Sequence, residues 1–332
     1  MSGLVTGFVA NGTALSAFEN GTLGLSFGGA GLLIAYYVGI VKVLQQLGIV
    51  VPGKQAPPVA GISSGALTAG VICSGMSADR FGDTVHDLMR RCREKQCAGR
   101  MDSTLKGILD AVLPTDAARR CKGNFFAGVT VLQDQGPRSL MTGASDGPGG
   151  RSDLISTLAA SAYIPIWSGR SLFTRWRGME TADGSLSIAQ PCPPAVEYCI
   201  RIASRAPDAP PTTIGDTVGA IARALAGLPA AAAGVLKPAL PERPPKVAPW
   251  RLARMQAAGL DIAPGLAVSN SVFDSATWTE LGLIPCDPDT CTWLEHLGRL
   301  DAMAWAETTG IAQAAARKLQ VEKQNSTKAA TG

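Results

Sequence analysis

The chain has 332 residues, of which 46% are hydrophobic and 17% charged, and its formal net charge is +4. That supplies enough apolar material for one large packed core and excludes a disordered or fibrous chain. So small a positive excess makes no case for nucleic acid as a partner, while weak attraction to an anionic lipid surface stays open.

Residues 1–20 read as a loose extension, and their opening stretch MSGLVTGFVANGTALSAF has neither a basic start nor a continuous apolar run. No secretory signal is therefore expected, and the sequons at Asn11, Asn20 and Asn325 should stay unglycosylated. The eight cysteines, Cys73, Cys92, Cys97, Cys121, Cys192, Cys199, Cys286 and Cys291, match no C-x-x-C pair or zinc spacing. They are expected to be buried thiols in a reducing compartment. The expected location is intracellular, either cytoplasmic or peripheral on a membrane or lipid droplet.

A strand is predicted over Leu23 to Phe27, breaking into Gly28-Gly29-Ala30-Gly31. A helix should follow, because Leu33, Tyr37, Val41 and Leu44 recur at helical spacing and Gly48 can end it. Val59-Ala60 then runs into Gly61-Ile62-Ser63-Ser64-Gly65 and a second helix, giving strand, tight turn, helix. Residues 79–122 read as mostly helical. Strands are expected over Phe125 to Leu132 and Ser139 to Thr142, joined by Asp134-Gln135-Gly136-Pro137. Ser152 is placed to cap a helix that runs through Ala162 and stops before Pro165. Further strands lead to Asp183-Gly184 and to Tyr198 through Ala203.

Alternating strands and helices over 21–204 predict an α/β fold with a mainly parallel sheet sandwiched by helices. A C-terminal accessory region is expected over 205–319 and a disordered tail over 320–332. Within the accessory region Val218 to Leu236 carries one charge, Arg223, and is interrupted by Pro229. That stretch is expected to rest on a lipid surface without crossing it.

Gly61-Ile62-Ser63-Ser64-Gly65 fits G-x-S-x-G, in which flanking glycines permit a strained turn that exposes the serine at a helix N-terminus. By itself the pentapeptide leaves catalysis and chance evenly matched. Gly28 to Gly31 lies at an earlier strand-to-helix junction, and its backbone N–H groups suit an oxyanion. A dinucleotide loop is the rival reading. It lacks the third small residue of G-x-G-x-x-G/A, and no Asp or Glu occurs between Glu19 and Asp79 to bind a ribose. Asp183-Gly184 is the third element, although Asp-Gly is also a common turn dipeptide.

Together these segments resemble the patatin-like phospholipase family, in particular its branch that includes adipose triglyceride lipase. The resemblance rests on Leu25-Ser-Phe-Gly-Gly-Ala-Gly31 with Tyr36-Tyr-Val-Gly39, Gly61-Ile-Ser-Ser-Gly65, Leu113-Pro-Thr-Asp-Ala117, Ala160-Ser-Ala-Tyr-Ile-Pro165 and Asp183-Gly184. It implies a patatin-like fold and a serine–aspartate dyad of Ser63 and Asp183. The oxyanion hole would be formed by Gly28, Gly29, Ala30 and Gly31, with Gly61 and Gly65 flanking the nucleophile. It also implies hydrolysis of glycerolipid esters at a membrane or droplet surface, with no metal or organic cofactor. Ala30, Ile34, Tyr37 and Ser185 depart from residues frequent in that branch.

Two alternatives accompany this expectation. One is a non-catalytic lipid-binding or droplet-surface protein that retains the fold. The other is an α/β-hydrolase triad of Ser63, Asp183 and His296. Trp293, Leu294, Leu297 and Leu300 place His296 on an amphipathic helix, where a histidine is more often a packing or surface residue, and His86 is the other imidazole. Arg90, Arg91, Arg93 and Lys95 read as a solvated helix face.

Overall fold

The computed structural model describes residues 13–134, 136–144, 150–188, 190–206, 214–228, 237, 239–268 and 275–331. In chain order α1 (Ala14–Asn20) leads into β1 (Leu23–Phe27), α2 (Ile34–Gln46), β2 (Val59–Ile62), α3 (Ser64–Cys73), α4 (Ala78–Lys95), α5 (Met101–Val112) and α6 (Ala117–Cys121). The hairpin β3 (Phe125–Gln133) and β4 (Gly136–Gly143) follows, then α7 (Gly150–Ser161), β5 (Thr174–Trp176), β6 (Met179–Ala182) and β7 (Tyr198–Ile202). The chain closes with α8 (Ile214–Leu225), α9 (Pro249–Ala257), α10 (Ser275–Leu283), α11 (Pro288–Thr308) and α12 (Ile311–Thr331).

The strands form one sheet in the order β5-β6-β3-β2-β1-β7, with β4 paired to β3. Its centre, β3-β2-β1-β7, is parallel, while β4, β5 and β6 join antiparallel. Every residue of β1 and β2 is buried, as in strands covered on both faces. The α/β expectation therefore holds, with a mixed sheet around a parallel centre.

Four sequence expectations are corrected. The extension is not loose from residue 14 onward: Thr13 caps α1 by accepting the Ser16 N–H, Gly21 ends the helix at φ 72°, and Ala17 and Phe18 are buried. Ser152 is not a cap, because α7 already begins at Gly150. The polar tail is not disordered up to residue 331, because α12 runs to Thr331. Its first turns bury Ile311, Ala314 and Ala315, and the glutamate, lysine and glutamine that follow are good helix formers. Finally, all eight cysteines are paired, as Cys73–Cys121, Cys92–Cys97, Cys192–Cys199 and Cys286–Cys291. Spacing hid the first pair, whose partners lie 48 residues apart in sequence yet 4.8 Å apart at Cα.

The chain beyond residue 204 shares the core of the sheet region, since Ile262, Leu266, Trp278, Leu294 and Trp305 belong to the same buried cluster as Leu25 and Tyr37. Among the described residues no helix is long and apolar enough to cross a membrane. Of the stretch Val218 to Leu236, residues 229–236 lie outside the described residues.

Candidate active site

Ser63 and Asp183 are 120 residues apart, and the edge of β3 brings them together. Strand β2 runs parallel to β3 and ends with Ile62 opposite Gly128. Strand β6 approaches the same edge from the other direction and ends with Ala182 opposite Thr130. The C-terminal ends of the two strands thus meet almost head-on, and the next residue of each is Ser63 or Asp183. Thr130 Oγ1 locks the junction by donating to the Asp183 carbonyl at 2.7 Å, while the Asp183 N–H donates to the Tyr163 carbonyl.

Ser63 occupies a tight turn at φ 55°, ψ −132°, a conformation that strains an L-residue. Its flanking glycines are required by close approach. A side-chain carbon on Gly61 would overlap the Gly65 carbonyl, and one on Gly65 would overlap the carbonyls of Phe27 and Gly28. The Ser63 N–H donates to Ser161 Oγ at 3.0 Å, and Ser161 Oγ donates to the Gly128 carbonyl at 2.7 Å. This hydroxyl therefore pins the strained turn to β3. Sequence reading missed Ser161, because nothing distinguishes it from the other small residues of its helix.

Ser63 Oγ donates to Asp183 Oδ2 at 2.7 Å. Asp183 is 2% exposed, and its Oδ1 accepts the Ser185 N–H at 2.9 Å and the Ser185 hydroxyl at 2.6 Å. Burial pushes the Asp183 carboxyl above the usual carboxylate range, and the hydrogen bonds from Ser185 and Ser63 oppose that shift. The arrangement is a nearly dry carboxylate aimed at a hydroxyl, as a proton acceptor for a nucleophile requires.

The glycine loop lies across from this pair, but two of its four N–H groups are already engaged. Gly28 donates to the Ile202 carbonyl at 2.9 Å, and Ala30 donates to Ser64 Oγ at 2.8 Å. The oxyanion expectation thus narrows to Gly29 and Gly31, whose N–H groups have no acceptor among the described residues. Gly29 approaches Ser63 so closely that a side-chain carbon on it would touch Ser63 Cβ at 3.5 Å. Of the residues that depart from the resembling branch, Tyr37 supports this loop by donating to the Gly28 carbonyl at 2.9 Å.

Gly29, Gly31, Ser63 and Asp183 open into one cavity of about 400 Å³, walled by Ile164, Trp278 and Leu283. Neither histidine lines it. His296 sits on α11 with Nε2 2.9 Å from the Pro241 carbonyl, and His86 Nε2 lies 3.6 Å from Glu295. Arg90 and Arg91 form exposed ion pairs with Asp87 and Glu94, as a solvated face does. Arg93 departs from that reading, since its guanidinium donates to the Cys286 carbonyl.

The sequence profile described as patatin-like phospholipase matches residues 25–196, just over half of the chain. Patatin-like phospholipase domain-containing protein 2 from Bos taurus is 25% identical over 171 residues, covering 50% of this chain and 34% of that protein. Patatin-like phospholipase domain-containing protein 4 from Homo sapiens is 26% identical over 178 residues, covering 52% of this chain and 68% of that protein. The human protein named 1-acylglycerol-3-phosphate O-acyltransferase PNPLA3 is 25% identical over 168 residues, 49% of this chain and 34% of its own length. The matched region thus spans about a third of the bovine relative.

Proposed function

The chain belongs to the patatin-like phospholipase family, and from that premise we propose that it is a lipid acyl hydrolase working through a Ser63–Asp183 dyad. The observation that carries the reading is the 2.7 Å hydrogen bond from Ser63 Oγ to a nearly dry Asp183 carboxylate, made at a strained turn facing two unengaged N–H groups.

In this mechanism Asp183 Oδ2 takes the hydroxyl proton as Ser63 Oγ attacks the ester carbonyl. The N–H groups of Gly29 and Gly31, together with the N-terminal end of α3, stabilise the oxyanion. Collapse of the tetrahedral intermediate expels the alcohol, which leaves with the proton held by Asp183. Water then attacks the acyl-serine, giving its proton to Asp183, and the fatty acid departs as Ser63 recovers the hydrogen.

The substrate is a glycerolipid, a triacylglycerol or phospholipid, presented at a membrane or droplet surface. Helix α8 supports that presentation. Its Ala220 and Ala224 are buried, whereas Val218 is 59% exposed. The four disulfides favour folding in an oxidising compartment over the reducing one expected from the cysteine spacing. A fluorophosphonate probe on the purified protein, followed by peptide mapping, should place the adduct on Ser63. No adduct, or one elsewhere, would overturn the hydrolase reading and favour a non-catalytic lipid-binding protein.

A further inference from the structure

A second cavity of about 310 Å³ lies beside the catalytic one. Past the glycine turn, successive side chains are dealt alternately to the two spaces: Leu32 lines the second cavity and Leu33 the catalytic one. Leu283 lines both. The Trp167 indole N–H donates to the Leu283 carbonyl at 3.1 Å, so the partition is a leucine backed by a tryptophan. At its far end the second cavity reaches the surface beside Gln96, Gly227 and Leu228, all exposed.

Two disulfides frame this space. Cys92–Cys97 closes the end of α4 and Cys286–Cys291 closes the turn into α11, each spanning five positions, and Cys92, Cys97 and Cys286 line the cavity. Arg93 joins the two clamps through the Cys286 carbonyl, and the Gln96 amide donates to the carbonyls of Ala224 and Leu225. Arg93 and Gln96 at the wall are thereby occupied with backbone, and Asp287, the carboxylate at the wall, accepts from the Thr290 N–H and hydroxyl. Leu32, Met101, Ala224, Leu281 and Ile284 supply the apolar lining.

We propose that this disulfide-framed cavity receives the acyl chain of the ester attacked at Ser63, a reading that rests on the acyl-hydrolase function above. The catalytic cavity sets Ser63, Asp183, Ser185, Ser204 and Thr279 among apolar residues such as Ile164 and Trp278, which seats a carboxyl ester and its oxyanion, and the second cavity continues the apolar wall beyond Leu283. The chain crosses at Leu283 and lies along the apolar wall. Each methylene it buries there contributes roughly fourfold to kcat/KM.

The test compares p-nitrophenyl butyrate with p-nitrophenyl dodecanoate on the full chain, its disulfides intact. Ala224→Phe fills the cavity from α8. Leu228→Trp obstructs its outer end at a position 48% exposed, where folding is not at risk. The parent should prefer the dodecanoate. Both variants should keep butyrate turnover within about twofold while dodecanoate kcat/KM falls at least about tenfold. Folded variants that change both esters equally, or neither, would overturn the acyl-chain assignment alone. A parent that cleaves neither ester and takes up no fluorophosphonate at Ser63 would overturn the hydrolase reading, and this assignment with it.

Discussion

Strands β2 and β6 end at Ser63 and Asp183, whereas the helices beyond residue 204 close over the region with wall side chains such as Trp278 and Leu283 and with close backbone contacts. A side-chain carbon on Gly31 would overlap the Gly282 carbonyl of α10. One on Gly39 of α2 would overlap the Glu295 carbonyl of α11, and one on Gly298 of α11 would overlap the Tyr36 carbonyl. A second tie is polar: buried Asp301 accepts the Ala267 N–H at 2.8 Å and the Tyr36 hydroxyl at 2.9 Å. In the proposed reaction the sheet region carries the chemistry, and the helical region fixes the walls around it. Substitutions should sort accordingly, into losses of rate with the fold kept and losses of stability with the chemistry kept.

The largest effects are expected at the dyad. Ser63→Ala and Asp183→Asn should each lower kcat/KM on a soluble ester by about a thousandfold or more, with circular dichroism and melting temperature near the parent. A folded Asp183→Asn protein within about tenfold of the parent would break the division, since the carboxylate would then be structural.

Stability should respond next, and with opposite signs in two helical glycines. Gly298→Ala forces a methyl group into backbone and should cost about 1–3 kcal/mol, read as a lower urea midpoint. Gly107→Ala lies at an exposed position of α5, where an added carbon meets nothing within 4 Å, and should stabilise by up to about 1 kcal/mol. Equal responses would mean that α11 does not rest on α2 as tightly as described.

A third effect depends on pH. Burial pushes the Asp301 carboxyl up to about 7. A folded-state value above that of the unfolded chain means a stabilising contribution that is complete below about pH 4 and is lost as pH rises toward about 7. Asp301→Asn can still accept from Ala267 and pair with Tyr36, so melting temperature should fall less across that window than in the parent. Parallel curves for the two proteins would exclude Asp301 as the titrating group.

The smallest effects are expected at the imidazoles. His296→Ala and His86→Ala should each keep most esterase activity, because neither residue lines the catalytic cavity. A thousandfold loss in a folded His296→Ala protein would replace the dyad with a Ser-Asp-His triad.

Sequence alone carried the order of elements in the sheet region because each has a local signature. Leu23 to Phe27 is apolar and ends in glycines, the α2 leucines and tyrosines recur at helical spacing, and Asp134 to Pro137 is turn chemistry. The meeting of Ser63 with Asp183 has no such signature, since it follows from two strands ending against one edge of β3 from opposite directions. Ser161 and the engaged N–H of Ala30 were hidden for the same reason, as each acts through a partner far along the chain. A glycine inside a helix carries no local sign of what it touches, so only packing reveals Gly39 and Gly298 as contact points. The disulfides were hidden because Cys73 and Cys121 sit in different helices with no recognisable spacing, and the three short pairs resemble chance neighbours.

The bond from the Ala30 N–H to Ser64 Oγ binds the glycine loop to the residue next to Ser63. The loop is therefore tied to the turn that holds Ser63, and in the proposed reaction the distance between the attacking oxygen and the donors at Gly29 and Gly31 is set before any ester arrives. Under the proposed mechanism little solvent or backbone then has to reorganise when charge appears on the carbonyl, and electrostatic preorganisation takes the place of an induced fit. Under that mechanism Ser64, the second serine of the pentapeptide, is the keystone of a cradle built in advance for a tetrahedral carbon.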